Sequence, residues 1–269
     1  MKFCLYVLSY VFSYVDMSSI KLIALENIPF IEPNDNLVEI ILESLHSTNT
    51  SIESGDIFVI AQKIVSKSEN RYKYLNEVAV SKETNQLAKK IGKDPRLLQL
   101  IKNESNKIIS TEKNVVIVEH KLGYININAG IDFSNIPNQK NIALLLPKNP
   151  SLSSKNIQHE LSNRLKKDIA VVITDSMTRP YRSGVVNFAL ASTNLPSLKD
   201  ISGNKDLFNN SLKCTEIAIA DELASAAGLI MGQSNEKKPV ILIKGFNKES
   251  YSNFDAADLV VNEKNDLYR

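Results

Sequence analysis

Four side chains that can bind an anion or a divalent cation follow a single apolar run in this sequence. The run, residues 169–173, is unbroken and rich in β-branched side chains, which is typical of a strand buried on both faces. Its C-terminal end carries Asp175, Ser176, Arg179 and Arg182. Asp175 and Ser176 alone favour a hydrogen-bonded turn with a salt bridge. Two arginines beside one aspartate need an anionic partner, so the whole stretch favours a site for phosphate and a divalent metal.

Other stretches offer matching chemistry. Asp132 and Asn135 share one polar loop, Gln233 lies in another, and Lys63 and Lys67 follow an apolar strand-like run. Oxygen ligands from aspartate, serine and glutamine suit hard cations such as Mg²⁺ or Mn²⁺, and the lysines can neutralise phosphates. Judged one at a time, each loop is better explained as a hydrogen-bonded turn. Taken together, they predict a metal-dependent α/β enzyme that handles phosphate.

Composition excludes several classes of protein. Hydrophobic residues make up 43% of the chain and charged residues 23%, as in an ordinary globular protein. A net charge of +2 gives no general electrostatic case for nucleic-acid binding. Cys4 and Cys214 lie far apart and the three histidines form no metal-ligand motif, so a reducing cytoplasm fits better than a disulfide or zinc protein. The sequence contains neither the P-loop motif nor the Rossmann glycine motif for nucleotides. It also contains no convincing Ser-His-Asp or Cys-His catalytic set.

Strands and helices alternate irregularly along the chain, which predicts a mixed α/β (α+β) fold. The predicted strands are residues 20–25, 57–61, 115–119, 123–128, 142–146, 169–173 and 240–244. The predicted helices are one capped by Asn34 or Asp35, then residues 81–91, 94 to about 108 with Asp94 as the N-cap, 153–165 and 215–227. The segment after Gly245 is polar and is predicted to be peripheral or frayed.

The N-terminal segment has three explanations. Residues 3–15 are apolar but too short to span a bilayer. A signal peptide would need a small-residue cleavage site, which does not follow clearly. Met17 favours a third explanation, a later start with residues 1–16 as a doubtful extension. The predicted organisation is therefore an extension over 1–16, a catalytic domain over 17–247 that could comprise two subdomains, and a polar tail over 248–269.

Four ordered segments, residues 55–67, 128–135, 172–182 and 220–227, resemble the coenzyme F420-0:gamma-glutamyl ligase family. The similarity runs in order from about Ile20 to Gly245. It implies an enzyme that uses GTP and a divalent metal to join L-glutamate to the lactyl-phosphate side chain of a deazaflavin coenzyme. It also implies a homodimer with a family-specific mixed α/β fold, rather than a Rossmann or P-loop fold.

The resemblance also implies roles for individual residues. Asp132, Asp175 and Arg179 would be catalytic, and Asp132, Asp175, Ser176 and Gln233 would hold one or two Mg²⁺ or Mn²⁺ ions, with K⁺ as a further candidate. The residues implied to hold GTP are Ile28, Pro29, Phe30, Ile31, Gln62, Lys63, Lys67, Asn135, Met231, Gly232, Gln233, Ser234, Asn235, Glu236, Lys237 and Lys238.

Departures from the family pattern concern the segment after Asp175. The family carries a Thr-Phe-Gly-Arg-Pro-Trp-Arg pattern, whereas this chain has Ser176, Thr178 and Tyr181 at the first, third and sixth positions. Serine keeps the hydroxyl for metal. Threonine does not readily take positive φ, so the turn must differ if glycine was needed for it. Residues 189–194 replace a glycine-bearing segment, where we expect the acceptor pocket to be shaped.

The implied reaction needs no protein nucleophile. The coenzyme's carboxylate attacks the γ-phosphate of GTP, and the amine of glutamate displaces phosphate from the acyl phosphate. Glu119 and His120 are candidates for the base that deprotonates the amine. Two alternatives stay open at this point: a protein that binds nucleotide or deazaflavin without ligating, and a metal-dependent phosphohydrolase that cleaves GTP without glutamate.

Overall fold

A computed structural model describes residues 19–112, 114–137, 140–247 and 255–266. Residues 1–16, predicted to be an extension, lie outside these ranges. In chain order the strands and α-helices are β1 Lys21–Ala24, α1 Leu37–Ser47, β2 Ile57–Ala61, α2 Gln62–Ser68, β3 Tyr72–Tyr74, α3 Lys82–Ile91, α4 Pro95–Asn103, β4 Ser105–Glu112, β5 Val115–His120, β6 Ile125–Ile127, β7 Ile142–Leu144, α5 Pro150–Leu165, β8 Ala170–Arg179, β9 Arg182–Thr193, β10 Lys199–Asp200, β11 Glu216–Ile217, α6 Ile219–Met231 and β12 Val240–Lys244. Short 3-10 helices span Leu75–Glu77, Asn128–Gly130, Ala256–Leu259 and Glu263–Asn265.

The main sheet has five strands in the order β1-β12-β2-β8-β9. Strands β2 and β8 run parallel, with Ile57 opposite Ala170, and the other neighbours are antiparallel. Because the two parallel strands end at the same edge, the segments that follow them meet there. This edge carries α2 after β2 and the extension of β8 that begins at Asp175.

Both faces of the main sheet are covered. Alternate side chains of β8, including Val171 and Ile173, pack with α1 and α5 on one face. Ala170 and Val172 pack with α6 on the other face. Burial on two faces explains why residues 57–60 and 169–173 are continuously apolar and fully buried, as the sequence predicted.

A second layer lies beside this core. Strands β4, β5 and β6 form an antiparallel sheet, and β3 pairs with β7. Ala88 of α3 and Leu98 of α4 pack against Val116 and Val118 of β5. The mixed α/β architecture is confirmed. None of the described helices is both long and apolar enough to cross a bilayer.

Several predicted boundaries were wrong. Asn36, and neither Asn34 nor Asp35, caps α1, because its Oδ1 accepts from the backbone N–H groups of residues 38 and 39. Helix α4 ends at Asn103 instead of continuing to about Ile108, since β4 begins at Ser105 and pairs with β5. Helix α6 begins at Ile219 because Glu216–Ile217 pairs with β10.

The segment after Gly245 is not wholly peripheral. Ala256 is 3% exposed, and its backbone N–H donates to Ser192 Oγ at 2.9 Å. Lys107 of β4 pairs with Glu263 at 3.0 Å. Residues 255–266 therefore pack on both the main sheet and the β4-β5-β6 layer.

Candidate functional site

A cavity of about 1100 Å³ opens at the edge where β2 and β8 end. Every residue that the resemblance assigned to nucleotide or metal lines it, whereas Arg179 and Arg182, which the sequence also placed in the site, do not. The lining residues of predicted function are Ile28, Pro29, Phe30, Ile31, Gln62, Lys63, Lys67, Asp132, Asn135, Asp175, Ser176, Met231, Gly232, Gln233, Ser234, Asn235, Glu236, Lys237 and Lys238. The structure thus brings together segments that are distant in the chain.

Strand β8 delivers Asp175 and Ser176 to the cavity without ending there. It continues to Arg179 and forms a hairpin with β9, so the predicted end of this strand at residue 173 was wrong. The turn lies further on, where Tyr181 has φ of 59° and Gly184 has φ of 85°. Thr178 stays in the strand opposite Val185, which removes any need for glycine at Thr178.

Helix α2 places two lysines on the cavity. Lys63 and Lys67 are one turn apart in the helix, which confirms that their spacing aims both at one region. Lys67 is 8% exposed, and its Nζ donates to the backbone oxygen of Asn135 at 2.8 Å. Burial and the nearby charge of Lys63 lower the pKa of Lys67. Two ammonium groups held together in this way favour an anion between or beside them.

Asp132 is held in its ionised form. Its Oδ2 lies 2.7 Å from Lys63 Nζ, and its Oδ1 accepts from the backbone N–H of Ser134 at 2.6 Å and from Ser134 Oγ at 2.8 Å. Burial by itself raises the pKa of Asp132, but Lys63 and Ser134 outweigh it and the pKa is lowered. The loop is thus organised around one carboxylate.

Asp175 has the opposite tendency. Burial raises the pKa of its carboxyl to about 7, and the charge of Asp132 adds to this, although hydrogen bonds from the Ser176 backbone and from Gln62 oppose it. The side chain remains partly accessible through the cavity. Two carboxyls that repel one another in a partly enclosed site are stabilised when a cation joins them.

The donor set fits a hard divalent cation. Carboxylates of Asp132 and Asp175 line the cavity beside the Ser176 hydroxyl and the Gln233 amide, and all four offer oxygen. Within the ranges that the structure describes, no three His, Cys, Asp or Glu side chains gather as a metal cluster. Oxygen donors of this kind suit a hard cation such as Mg²⁺ or Mn²⁺.

Residues 232–239 form an ordered loop over the cavity. Asn135 Nδ2 donates to the backbone oxygen of Ser234 at 2.8 Å, and the N–H of Ser234 donates to Glu236 Oε2 at 2.8 Å. A Cβ on Gly232 would lie 2.1 Å from the Glu236 carboxyl carbon, and its φ is 74°, so only glycine fits. Across the opening, Lys237 Nζ lies 5.4 Å from the centroid of the Phe30 ring.

An aromatic group lies on the β6 side of Asp175. The Tyr124 ring stacks on His120 at 5.3 Å and meets the edge of Phe188 at 5.3 Å. His120 Nδ1 accepts from the backbone N–H of Leu122, and burial lowers the His120 pKa to about 4. Neither His120 nor Glu119 lines the cavity, so the structure does not bring these two candidate bases to the predicted reaction site.

The motifs of the sequence did not indicate Asn187. It is 5% exposed on β9, and its Oδ1 accepts from Gln233 Nε2 at 2.7 Å. No local signal could have found it, because the contact depends on how α6 and the loop after it lie across β9.

Comparisons with known proteins agree with this geometry. A family model described as F420-0:Gamma-glutamyl ligase matches residues 26–245, which include every residue lining the cavity. Coenzyme F420:L-glutamate ligase from Methanocaldococcus jannaschii is 42% identical over 218 residues, covering 81% of this chain and 86% of that protein. The proteins of the same name from Methanothermobacter thermautotrophicus and one strain of Methanococcus maripaludis are 37% and 39% identical, covering 84% and 93% of this chain and 89% and 97% of their own lengths.

Proposed function

Because the chain belongs to the F420-0:gamma-glutamyl ligase family, we propose that it joins L-glutamate to coenzyme F420-0 with GTP and a divalent cation as co-reactants. The observation that carries the proposal is the meeting of two carboxyls, Asp132 and Asp175, with two lysines, Lys63 and Lys67, in one cavity. Such a set matches the needs of phosphoryl transfer, in which positioning and charge neutralisation do most of the work.

The nucleotide occupies the side of the cavity formed by α2, residues 28–31 and the loop 232–239. Lys63 and Lys67 supply positive charge for its phosphates. Phe30 is 77% exposed beside Lys237 and offers a flat apolar face for a purine ring. Asn135 links the Asp132 loop to Ser234, so the loop over the nucleotide and the acidic loop are held in one arrangement.

A divalent cation held by Asp132, Asp175, Ser176 and Gln233 would neutralise charge on the phosphate oxygens during transfer. The protein's own part begins with Lys63. Its 2.7 Å pair with Asp132 shows that the lysine reaches the acidic group, so it can bridge that group and a phosphate. The surrounding protein excludes bulk water from part of the site and so strengthens these interactions.

The reaction then proceeds in two displacements. The terminal carboxylate of the coenzyme attacks the γ-phosphorus of GTP, the bond from phosphorus to the β-phosphate oxygen breaks, and GDP leaves. The amine of glutamate attacks the acyl carbon, phosphate leaves with the bonding pair of the acyl C–O bond, and the amine loses a proton. Every bond is made between substrates, which agrees with a cavity lined by charged and amide groups and no activated nucleophile.

We also propose a homodimer, as the family resemblance implies. Leu207 is fully exposed and Phe208 is 86% exposed, both between β10 and β11. Two adjacent large apolar side chains in water favour a partner surface. The molar mass in solution, measured by light scattering, tests this, and a monomer at micromolar concentration would contradict it.

Incubation with GTP, Mn²⁺, L-glutamate and coenzyme F420-0, followed by mass spectrometry, tests the ligase. The expected product gains glutamyl mass, and GDP and phosphate form in equal amounts. Omitting glutamate separates the alternatives: continued GTP cleavage without it indicates a phosphohydrolase. Binding of nucleotide or coenzyme with no turnover in the complete mixture indicates a binding protein.

A further inference from the structure

Asn187 is a buried polar residue whose side chain and backbone are both held in place. Its Oδ1 accepts from Gln233 Nε2 at 2.7 Å, and its Nδ2 lies 3.8 Å from Met231 Sδ. Its backbone oxygen accepts from Ser225 Oγ at 2.7 Å. The amide therefore has one orientation, with its oxygen toward Gln233.

Helix α6 is shaped to admit this side chain. A Cβ on Gly228 would lie 2.7 Å from Asn187 Oδ1 and 2.8 Å from its Cγ. Contacts this short force a neighbour to move. Gly228 does not line the cavity, so its missing side chain serves the close approach of Asn187 and not a ligand.

Asn187 also lies beside Ser176. The two residues are paired across β8 and β9. Asn187 thus touches Gln233 through its side chain and faces Ser176 through the sheet, so one buried residue connects two of the oxygen donors assigned to the cation.

We propose that Asn187 is a positioning residue that fixes the Gln233 amide with its oxygen toward the cavity. A glutamine amide has a donor end and an acceptor end, and only the oxygen binds a hard cation. With Nε2 committed to Asn187, Oε1 is left for the cation. The inference deepens the proposed function and rests on it for the presence of that cation. Residues that orient a ligand in this way typically change metal affinity about 10- to 100-fold when they are replaced.

The test measures Mn²⁺ affinity of the full chain without nucleotide, from the electron paramagnetic resonance signal of free Mn²⁺. Asn187→Ala should weaken binding about tenfold. Gln233→Ala should also weaken it, and the double variant should bind no more weakly than Gln233→Ala alone. Ser192→Ala is the matched control, because it removes a buried polar group from the same strand away from the cavity and should leave Mn²⁺ affinity unchanged.

Gly228→Ala gives a second test that leaves both amides in the chain. The new methyl should displace Asn187 and weaken Mn²⁺ binding. In the double variant with Asn187→Ala, Gly228→Ala should weaken Mn²⁺ binding no further, because the Asn187 amide that the methyl would displace is already absent. Thermal unfolding of each variant shows that it folds, and if Asn187→Ala does not fold, the Gly228→Ala result decides.

The outcomes separate this inference from the proposed function. Wild-type affinity in both Asn187→Ala and Gly228→Ala, or additive losses in the Asn187/Gln233 pair, would overturn the positioning role. If Asp175→Asn and Gln233→Ala weaken binding while Asn187→Ala does not, the metal site stands and only the role of Asn187 fails. If the wild-type chain binds no Mn²⁺, with or without GTP, both fail.

Discussion

The Nζ atom of Lys63 lies 2.7 Å from Oδ2 of Asp132. Among the residues that the structure describes, Asp175 forms no ion pair with a lysine or arginine. The two carboxyls of one cavity therefore differ in their readiness to ionise: the pKa of Asp132 is lowered and that of Asp175 is raised to about 7. Binding of a cation should thus be coupled to loss of a proton from Asp175.

Asp175→Asn should abolish ligation and weaken Mn²⁺ binding at least tenfold, because it removes a charge from the site and little volume from the core. Far-ultraviolet circular dichroism should be unchanged. Asp200→Asn is the control, since Asp200 is exposed on β10 and away from the cavity. Activity within a few-fold of wild type in Asp175→Asn would contradict the assignment.

The same residue should make metal-free stability depend on pH. The folded-state pKa of Asp175 is about 7 against an ordinary value of 3.8, so the folded protein binds this proton more tightly than the unfolded chain does. Stability from this group is therefore full below pH 3.8 and is lost as pH rises toward 7. Relative to wild type, Asp175→Asn should gain on the order of 2 kcal/mol of unfolding free energy between pH 5 and pH 8, allowing for solvent in the cavity. Urea titrations at both pH values measure it, and an equal difference at each would count against the shift.

Lys67→Ala should raise the Michaelis constant for GTP about tenfold, equivalent to roughly 1.4 kcal/mol. The constant for glutamate should move much less, because the amine enters from the acyl side. Lys73→Ala is the matched control, since Lys73 is exposed on β3 and outside the cavity. An unchanged GTP constant, or equal shifts in both constants, would rule out a specific phosphate role.

Although Arg179 does not line the cavity, Arg179→Ala should lower kcat at least tenfold, whereas Arg182→Ala should have little effect. The Nη1 atom of Arg179 is buried with no hydrogen-bond partner among the residues that the structure places, and Arg182 is exposed. A buried guanidinium nitrogen without a partner is costly unless an anion meets it during function. Steady-state kinetics of the two variants provide the comparison. An equal change in kcat for both variants would contradict a catalytic role for Arg179.

His120 should make the protein sensitive to acid. Its folded-state pKa is about 4 against an ordinary 6.5, so below pH 6.5 the unfolded chain takes up a proton that the folded chain resists. Stability from this group is full above pH 6.5 and falls as pH drops toward 4, by up to about 3 kcal/mol. His120→Gln should flatten the profile of unfolding free energy over this range. A profile as steep as that of wild type would assign the acid sensitivity to other groups.

The sequence predicted those parts of the fold in which the local pattern and the tertiary environment agree. Residues 57–61 and 169–173 are continuously apolar because both faces of β2 and β8 are covered, so pattern alone located them. The prediction of a helix over residues 105–108 was wrong because the local pattern and the tertiary environment disagree there. They continue a helix-like pattern, but β4 pairs with β5, and a strand partner further along the chain decided the outcome.

Part of the candidate site could likewise be predicted from the sequence and part could not. Residues that can bind metal, such as Asp132 and Asp175, could be identified in the sequence, and the structure places both at one cavity. The pairing of Asn187 with Gln233 and the space left by Gly228 have no such signal. Both contacts depend on how closely α6 packs on β9, and that distance cannot be predicted from residue types or their spacing.

Strand β2 lies between β12 and β8, and both neighbours are made after it. A nascent chain leaving the ribosome therefore exposes both edges of β2 until β8 is made, and one edge until β12 is made. The lysines of α2 are also made before β8 and before the loop 232–239, so the cavity that they line is complete only late in synthesis. Any ligand that needs the complete cavity can therefore stabilise only the finished sheet, and cannot assist the earlier steps of folding.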